Sequence, residues 1–348
     1  MYDTSNPFEW KYYKTVNYPF GGWTITDATL SPDNRFLAYS SMRSLVCLAG
    51  TDPADSSDPT VLDFAAMPGS QFNAHFAVYS VRFSGDGREI VAGTGRVDDP
   101  SVVVYDLETR QPVLRMAKHD DDVNAVCFGD TSSPHILYSG SDDTTLRVWD
   151  RRSMGDGREA GVFLGHTDGL TYIDSKGDGR YVLSNGKDQT MKLWDLRKMM
   201  TTARFDSIDF REYSTAYDFD YRWDPYPEDY YPHPYDCSVV TFRGHRVLRT
   251  LIRCHFSPPC STNSRYVYTG SQDGKVYIYN MDATLAGTVD VGDATYKSPV
   301  NRYDPAVCQH SMSRRQWETC VRDVSWHPNA PVLAGKSYIS PFCLARFF

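Results

Sequence analysis

Between Lys118 and Lys198 the chain writes one design twice: KHDDDVNAVCFGDTSSPHILYSGSDDTTLRVWDRR, then GHTDGLTYIDSKGDGRYVLSNGKDQTMKLWDLRK. Each copy opens on a His, continues in apolar alternation, places a Ser four residues before an Asp, and sets a Trp-Asp pair six residues after that Asp. His119 and His166 are 47 residues apart. The alternation has the period of a strand, and Gly, Asp and Asn stand at the turns between β-branched runs. A unit that recurs at this length cannot bury its apolar face alone. It has to stack against its copies, which restricts the chain to a repeat array.

A repeat of this period that ends in Trp-Asp is the signature of a four-stranded propeller blade. The expected fold class is all-β: a propeller of nominally seven blades, with the first and last blades incomplete. In such a blade the His enters the innermost strand, the Ser lies on the second, the Asp in the turn after it and the Trp on the third. The four then meet as a buried hydrogen-bond chain running from Trp to Ser to His to Asp. Three such sets are expected: His119, Ser139, Asp143 and Trp149; His166, Ser184, Asp188 and Trp194; and His245, Thr269, Asp273 and Tyr279. Ser, His and Asp together also suggest a catalytic triad, but recurrence in three units argues for a structural role.

Residues 1–348 read as one propeller. Residues 1–19, aromatic and polar with no opening His, form an orphan strand of the first blade. Blades follow over 23–65, 70–115, 116–160 and 161–198. The next opening His, His245, stands 79 residues after His166, because residues 199–236 are a Tyr-, Pro- and Asp-rich insertion. Repeated Pro rules out a regular helix or a central strand there. The insertion is a long surface loop, either packed on the body through its aromatics or holding a partner. A blade over 237–292 and a partial blade over 310–348 complete the chain.

A net charge of −8 argues against general affinity for nucleic acid or anionic membrane, since both require a basic surface. Eight Cys without a Cys-x-x-Cys pair, and no basic-apolar leader at Met1, point to reduced thiols and to a soluble nuclear and/or cytoplasmic protein. There is no His-Glu-x-x-His, no Gly-x-Ser-x-Gly and no metal-spaced Cys/His cluster. The three Gly-Asp-Gly-Arg tetrads, starting at Gly85, Gly155 and Gly177, fall in hairpin turns and are not phosphate loops. No cofactor, metal or catalytic site is expected.

The chain resembles the WD-repeat propellers over nearly all its length. A narrower similarity lies in two successive boxes: Asp143, Trp149, Asp150 and Arg152, then Asp188, Trp194, Asp195 and Arg197. Such paired Trp-Asp-x-Arg boxes are similar to those of substrate receptors of cullin-4 RING ubiquitin ligases. The segments DDDVNAV, YIDSKGD, SNGKDQT, LRTLIRC and VRDVSWHP further resemble the cullin-4-associated factor 11 group, including its plant members. The resemblance implies a non-catalytic receptor whose Arg152 and Arg197, with Asp150 and Asp195, bind the propeller-type adaptor that bridges to cullin-4, while another face presents a protein for ubiquitination. The alternative is a general WD-repeat scaffold unconnected with ubiquitination. Family members normally have a longer N-terminal region and a last blade that ends in its own Trp-Asp-like strand. Here both ends are short and the tail KSYISPFCLARFF lacks a third strand, so the expected ring is incompletely closed, in a truncated or alternatively spliced form.

Opposite the Arg-bearing face, the loops entering the blades carry Asp120, Asp121, Asp122 and Asp168, with Asp142 nearby in a hairpin. They are expected to make an acidic rim at the top of the channel. That rim is either simply solvated or faces a substrate segment carrying Lys or Arg.

Overall fold

The computed structural model describes all residues except 19–20, 23, 68–75, 96–99, 154–156, 216–218, 228–230, 293–318, 338–342 and 347–348. A short hairpin pairs β1 (Tyr2–Asp3) with β2 (Lys11–Tyr12). The first large sheet holds β3 (Ile25–Leu30), β4 (Phe36–Ser41), β5 (Arg43–Gly50) and β6 (Thr60–Asp63). The second holds β7 (Ala77–Phe83), β8 (Glu89–Gly95), β9 (Val102–Asp106) and β10 (Gln111–Met116). The two clear sequence copies form the third sheet, β11 (Ala125–Phe128), β12 (Ile136–Gly140), β13 (Leu146–Asp150) and β14 (Gly161–Phe163), and the fourth, β15 (Leu170–Ser175), β16 (Tyr181–Gly186), β17 (Met191–Asp195) and β18 (Val240–Phe242). The fifth holds β19 (Cys254–Phe256), β20 (Tyr266–Thr269), β21 (Lys275–Asn280) and β22 (Leu285–Asp290); the sixth holds β23 (Val321–Trp326), β24 (Val332–Ser337) and β25 (Cys343–Arg346). Every pairing is antiparallel between strands consecutive in sequence, most of them joined by short turns and β17 to β18 by the long insertion.

The sheets stack through shared apolar clusters, each built from two adjacent sheets. Trp149 of β13 is buried among Val91, Val102 and Val104 of the preceding sheet, and Trp194 of β17 among Ala125, Tyr138 and Val148. Tyr279 and Tyr105 fill the same place at the neighbouring interfaces, the latter stacked on Phe64 at 4.9 Å. The residue at the Trp position therefore joins each sheet to the one before it, which is why it is large and aromatic.

Around the central channel the innermost strands are stitched by hydrogen bonds: Thr26 to Val78, Asn124 to Leu170, Thr171 to Ile252, and Arg253 to Arg322, all onto carbonyl oxygens. The sixth sheet reaches the first through Arg322, whose Nη2 donates to the Thr26 carbonyl at 3.0 Å.

The described residues form six sheets of three or four strands besides the β1–β2 hairpin, in keeping with the all-β propeller expected. Two expectations are corrected. Residues 1–19 are not an orphan strand: Asp3 and Asn6 accept backbone N–H groups of Ser5 and Phe8, which turns the chain so that it pairs with itself. The segment then continues to the open flank of the first sheet, where Val16 and Tyr18 pack on Tyr39, Cys47 and Ala49. The tail does supply a third strand, β25, because ladder pairing needs backbone groups and not the Trp-Asp signature. The Gly85 and Gly177 tetrads lie in hairpin turns; part of the Gly155 tetrad, Trp23 and the first nine residues of the 310–348 unit lie outside the described residues.

Candidate functional site

Both clear copies assemble the same network. His119 Nδ1 is 2.7 Å from Asp143 Oδ2, its Nε2 is 2.7 Å from Ser139 Oγ, and Trp149 Nε1 donates to Ser139 Oγ at 2.8 Å. The corresponding distances at His166, Asp188, Ser184 and Trp194 are 2.9, 2.7 and 2.7 Å. The Asp143 carboxylate can only accept, so His119 Nδ1 carries the proton that faces it, and Ser139 Oγ accepts the indole N–H. Burial pushes the Asp143 carboxyl up, but His119 and Arg147 outweigh it and hold the group well below the ordinary carboxylate range. Both Ser hydroxyls are fully buried and engaged, so neither can meet a substrate as a nucleophile.

The third set comes together only in part: Tyr279 Oη lies 3.4 Å from His245 Nδ1, but neither Thr269 nor Asp273 joins the imidazole. His245 Nε2 turns across to Asn185 Oδ1 of the fourth sheet at 2.9 Å. Thr269 donates to the carbonyls of Arg253 and Gly270, and Asp273 accepts from Tyr277 Oη at 2.7 Å. The cause is Tyr279 in place of Trp. A phenol carries its hydroxyl at the far end of the ring, so it donates to the Arg243 carbonyl and leaves Thr269 without the side-on N–H that Trp provides.

The two box arginines project from the ends of β13 and β17 at one face. Arg152 donates through Nε and Nη2 to Asp150, at 2.9 and 2.8 Å, and its side chain is 63% exposed. Arg197 grips Asp195 the same way, at 3.1 and 2.7 Å, and is 68% exposed. Each carboxylate also accepts the Arg backbone N–H two residues on, so box and guanidinium form one rigid fork. Among the described residues Nη1 of both guanidiniums meets no acceptor and is available to a partner. Arg151, adjacent in sequence, points inward instead and pairs in bidentate fashion with Glu89 of the second sheet at 2.5 and 2.8 Å.

Sequence reasoning missed Arg180, whose Nη2 joins Asp195 at 3.0 Å, so that one carboxylate holds two cations on this face. Its signal was the fourth position of a tetrad that recurs in turns on the same side as the boxes. Also missed was the charged channel. Asp27 accepts from Arg82 at 2.6 Å and from Arg253 at 2.7 Å, and both guanidiniums lie over the Tyr172 ring. Near the box face the channel opens into a cavity of about 300 Å³ lined by Pro32, Arg82, Gly85, Thr131 and Asp174.

On the opposite face Asp120, Asp121 and Asp142 line a cavity together with Phe210 and Arg211 of the insertion, so the expected rim is partly paired with cations. Lys187 pairs with Asp142 at 2.7 Å, and Arg211 of the insertion pairs with Asp120 at 2.9 Å. Burial pushes Asp168 up to about 6, against the Gly169 N–H that favours its charged form. The insertion lies across this face. Its first turn packs Phe205, Ile208 and Phe210 on Val162, Leu164 and Met200. Further on Thr215 donates to the Thr167 carbonyl through both N–H and hydroxyl, and Tyr221 receives the Lys187 ammonium on its ring at 4.8 Å. Asp121 remains exposed and Asp122 half-buried. Among the described residues there is no cluster of His, Cys, Asp and Glu fit for a metal ion, and no helix is long and apolar enough to cross a membrane.

Repeated four-stranded sheets, two complete Trp-Ser-His-Asp chains and a central channel define a WD-repeat β-propeller, and the chain belongs to that class. A profile described as WD domain, G-beta repeat matches residues 67–106, 110–150, 157–195 and 236–280. Solved structures titled "Structure of U3-55K" and "Crystal structure of RRP9 WD40 repeats" share the fold, each with a TM-score of 0.61 at 17% identity, covering 94% of this chain and 78% and 77% of theirs. The chain is similar to the LEC14B protein of Lithospermum erythrorhizon, 43% identical over 94% of this chain and 64% of that protein. It is also similar to the DDB1- and CUL4-associated factor 11 homolog of Caenorhabditis elegans, 37% identical over 88% of this chain and 52% of that protein. The chain thus spans between about half and two thirds of the length of these relatives. The resemblance to the cullin-4-associated factor 11 group holds at the level of sequence identity.

Proposed function

We propose that the chain is a non-catalytic substrate receptor that docks on the DDB1-type adaptor of a cullin-4 RING ubiquitin ligase and presents a bound protein for ubiquitination. The observation that carries this reading is the pair of exposed Asp-x-Arg forks, Asp150 with Arg152 and Asp195 with Arg197, on one face of consecutive blades. A guanidinium held rigid through Nε and Nη2 loses little further freedom when Nη1 binds a carboxylate or carbonyl of a partner. The names of the two Caenorhabditis relatives, which cite DDB1 and CUL4, support the choice of partner. Such a receptor works in the nucleus or cytoplasm and needs no cofactor.

A second reading, a WD-repeat scaffold outside ubiquitination, draws on the same forks: each guanidinium already has a carboxylate and does not depend on a partner for its charge. Co-purification of the adaptor with wild type and with R152A/R197A separates the two. The receptor reading expects the adaptor with wild type and its loss with the double variant; equal recovery from both removes it.

A further inference from the structure

In the first, third and fourth sheets one side chain beside the channel reaches the main chain of the next sheet. Thr26, Asn124 and Thr171 make this stitch with a hydroxyl or an amide, to the carbonyls of Val78, Leu170 and Ile252 at 2.6, 3.1 and 2.8 Å. In the sixth sheet the same task falls to Arg322, through Nη2 and the Thr26 carbonyl. A short neutral side chain suffices elsewhere in the ring. The Arg322 charge, and its Nε and Nη1 groups, which meet no acceptor among the described residues, are therefore surplus to holding the sheets together.

That charge is also unmatched. Asp27 accepts from Arg82 and Arg253, and Asp323 accepts from Arg253 at 3.2 Å and lies 2.9 Å from His255 Nε2. Both carboxylates are committed before Arg322 is counted. What Arg322 meets is a like charge: Arg253 Nη2 lies 3.4 Å from the same Thr26 oxygen that Arg322 Nη2 binds at 3.0 Å. Burial and then Arg253 push the Arg322 guanidinium below its ordinary value, whereas burial of Arg82 and Arg253 is outweighed by Asp27, which holds both above theirs. Lys336 of β24, directly across the ladder from Asp323, is exposed and lies within the field of Arg322 and Arg253. Among the described residues its ammonium meets no acceptor.

The two cations stand towards the face opposite the boxes, since the Val321 N–H beside Arg322 donates to the Ser271 carbonyl in the turn between β20 and β21 at 3.0 Å. The acidic residues of that face belong to the third and fourth sheets, where Lys187 and Arg211 already match Asp142 and Asp120. Arg322 sits at a bulge between Val321 and Asp323, a device by which a strand re-aims a side chain. We propose that Arg322 and Lys336 form an anion site at the mouth of the channel, which takes the carboxylate side chains of an acidic, extended segment of a partner protein. A guanidinium held through one nitrogen offers its other N–H groups to a carboxylate as a planar fork. Arg322 is half-buried and Lys336 exposed, so the two cations lie at different depths and suit successive acidic side chains better than one free phosphate. The site lies opposite Arg152 and Arg197, so adaptor and segment do not compete. Calling that partner a ligase substrate rests on the proposed function; the carboxylate binding does not.

The test is titration calorimetry of the full chain with amidated (Glu-Gly)4, with (Gln-Gly)4 as the neutral control and inorganic phosphate as the free anion. Wild type is expected to bind the glutamate peptide, more tightly than phosphate, and not to bind the glutamine one. R322Q keeps an amide for the Thr26 carbonyl but removes the charge, and R322T copies the stitch made by Thr26 and Thr171; each should weaken binding about tenfold or more. K336Q should weaken it about threefold, as an exposed charge does, and R152A/R197A should leave it unchanged. Circular dichroism confirms that each variant is folded. No binding by wild type, binding that R322Q and R322T leave intact, or loss with R152A/R197A instead overturns the proposal. Phosphate binding as tight as that of the peptide overturns the assignment to an acidic segment. Loss of the receptor reading shows up separately, as adaptor recovery that R152A/R197A leaves intact.

Discussion

Asp27 and Arg253, 226 residues apart in sequence, meet at 2.7 Å in the channel, where Asp27 on the first sheet also receives Arg82 from the second. Burial alone would raise this carboxyl, but Arg253 and then Arg82 hold it below its ordinary value. One acidic side chain therefore ties the fifth sheet to the first and second across the channel. Asp27→Asn leaves two buried guanidiniums without their shared charge and is expected to destabilise the fold by about 3–5 kcal/mol. Asp33→Asn, in an exposed turn, is expected to cost less than about 1 kcal/mol. Urea unfolding midpoints of the two variants check this; equal midpoints would show that the channel network does not hold the ring.

The two complete hydrogen-bond chains and the broken one make opposite predictions for similar substitutions. Ser139→Ala strands the Trp149 N–H and the His119 Nε2 together, and the expected loss is about 2–4 kcal/mol. Thr269→Val removes a hydroxyl that only donates to two main-chain carbonyls, and the expected loss is about 1 kcal/mol. Thermal unfolding ranks the two, and a Thr269→Val loss as large as that of Ser139→Ala would contradict the geometry described at His245.

These cases show what was legible in the sequence. His119, Ser139, Asp143 and Trp149 were readable because the network is local to one repeat and the repeat is written twice. Tyr279 was readable as a stand-in for Trp by position but not by chemistry, since its hydroxyl points elsewhere. Arg147 and Lys192 each stand two residues before a Trp, a recurrence present in the sequence; Lys192 is fully buried against Asp236, which anchors the end of the insertion. Asp27 and Arg253 were not readable, because their meeting depends on closure of the whole ring. The contacts that the insertion makes beside Asp120 and Asp168 were equally hidden: composition marked the segment as a surface loop, while its path depends on contacts such as Thr215 to Thr167.

Stability should respond to pH at buried His245 and half-buried Asp168, in opposite directions. Burial lowers His245 to about 4, with Asp188 and Asp273 opposing, so the unfolded chain binds its proton first as pH falls. Its contribution is complete above about pH 6.5 and is lost as the pH falls towards 4, by roughly 2–3 kcal/mol. The expected outcome is that His245→Asn flattens the melting-temperature profile over that window.

Asp168 is raised to about 6, so the native state takes up its proton before the unfolded chain does. Here stability is greatest below about pH 4 and falls as the pH rises through 6. Asp168→Asn keeps an acceptor for the Gly169 N–H and is expected to stabilise the protein at pH 7 by roughly 1–2 kcal/mol, with the gain vanishing near pH 4. Melting curves at pH 4, 5.5 and 7 decide it, and an Asp168→Asn effect independent of pH would exclude the carboxyl as its source.

The box face offers the last prediction, because charge and geometry can be separated there. If adaptor binding needs only positive charge, R152K/R197K keeps it. If it needs the forks, the lysine variant behaves like R152A/R197A, since an ammonium cannot hold Asp150 and reach outward at once. Asp195 gives an independent handle, since it braces both Arg197 and Arg180. Asp195→Ala leaves every cation in place and makes the face more positive, so a purely electrostatic attraction would strengthen. The fork reading expects the reverse, a loss of roughly fivefold or more for both Asp195→Ala and R152K/R197K, measured by biolayer interferometry against purified adaptor. Tighter binding by Asp195→Ala would show that rigid presentation of Arg197 is not what the partner reads.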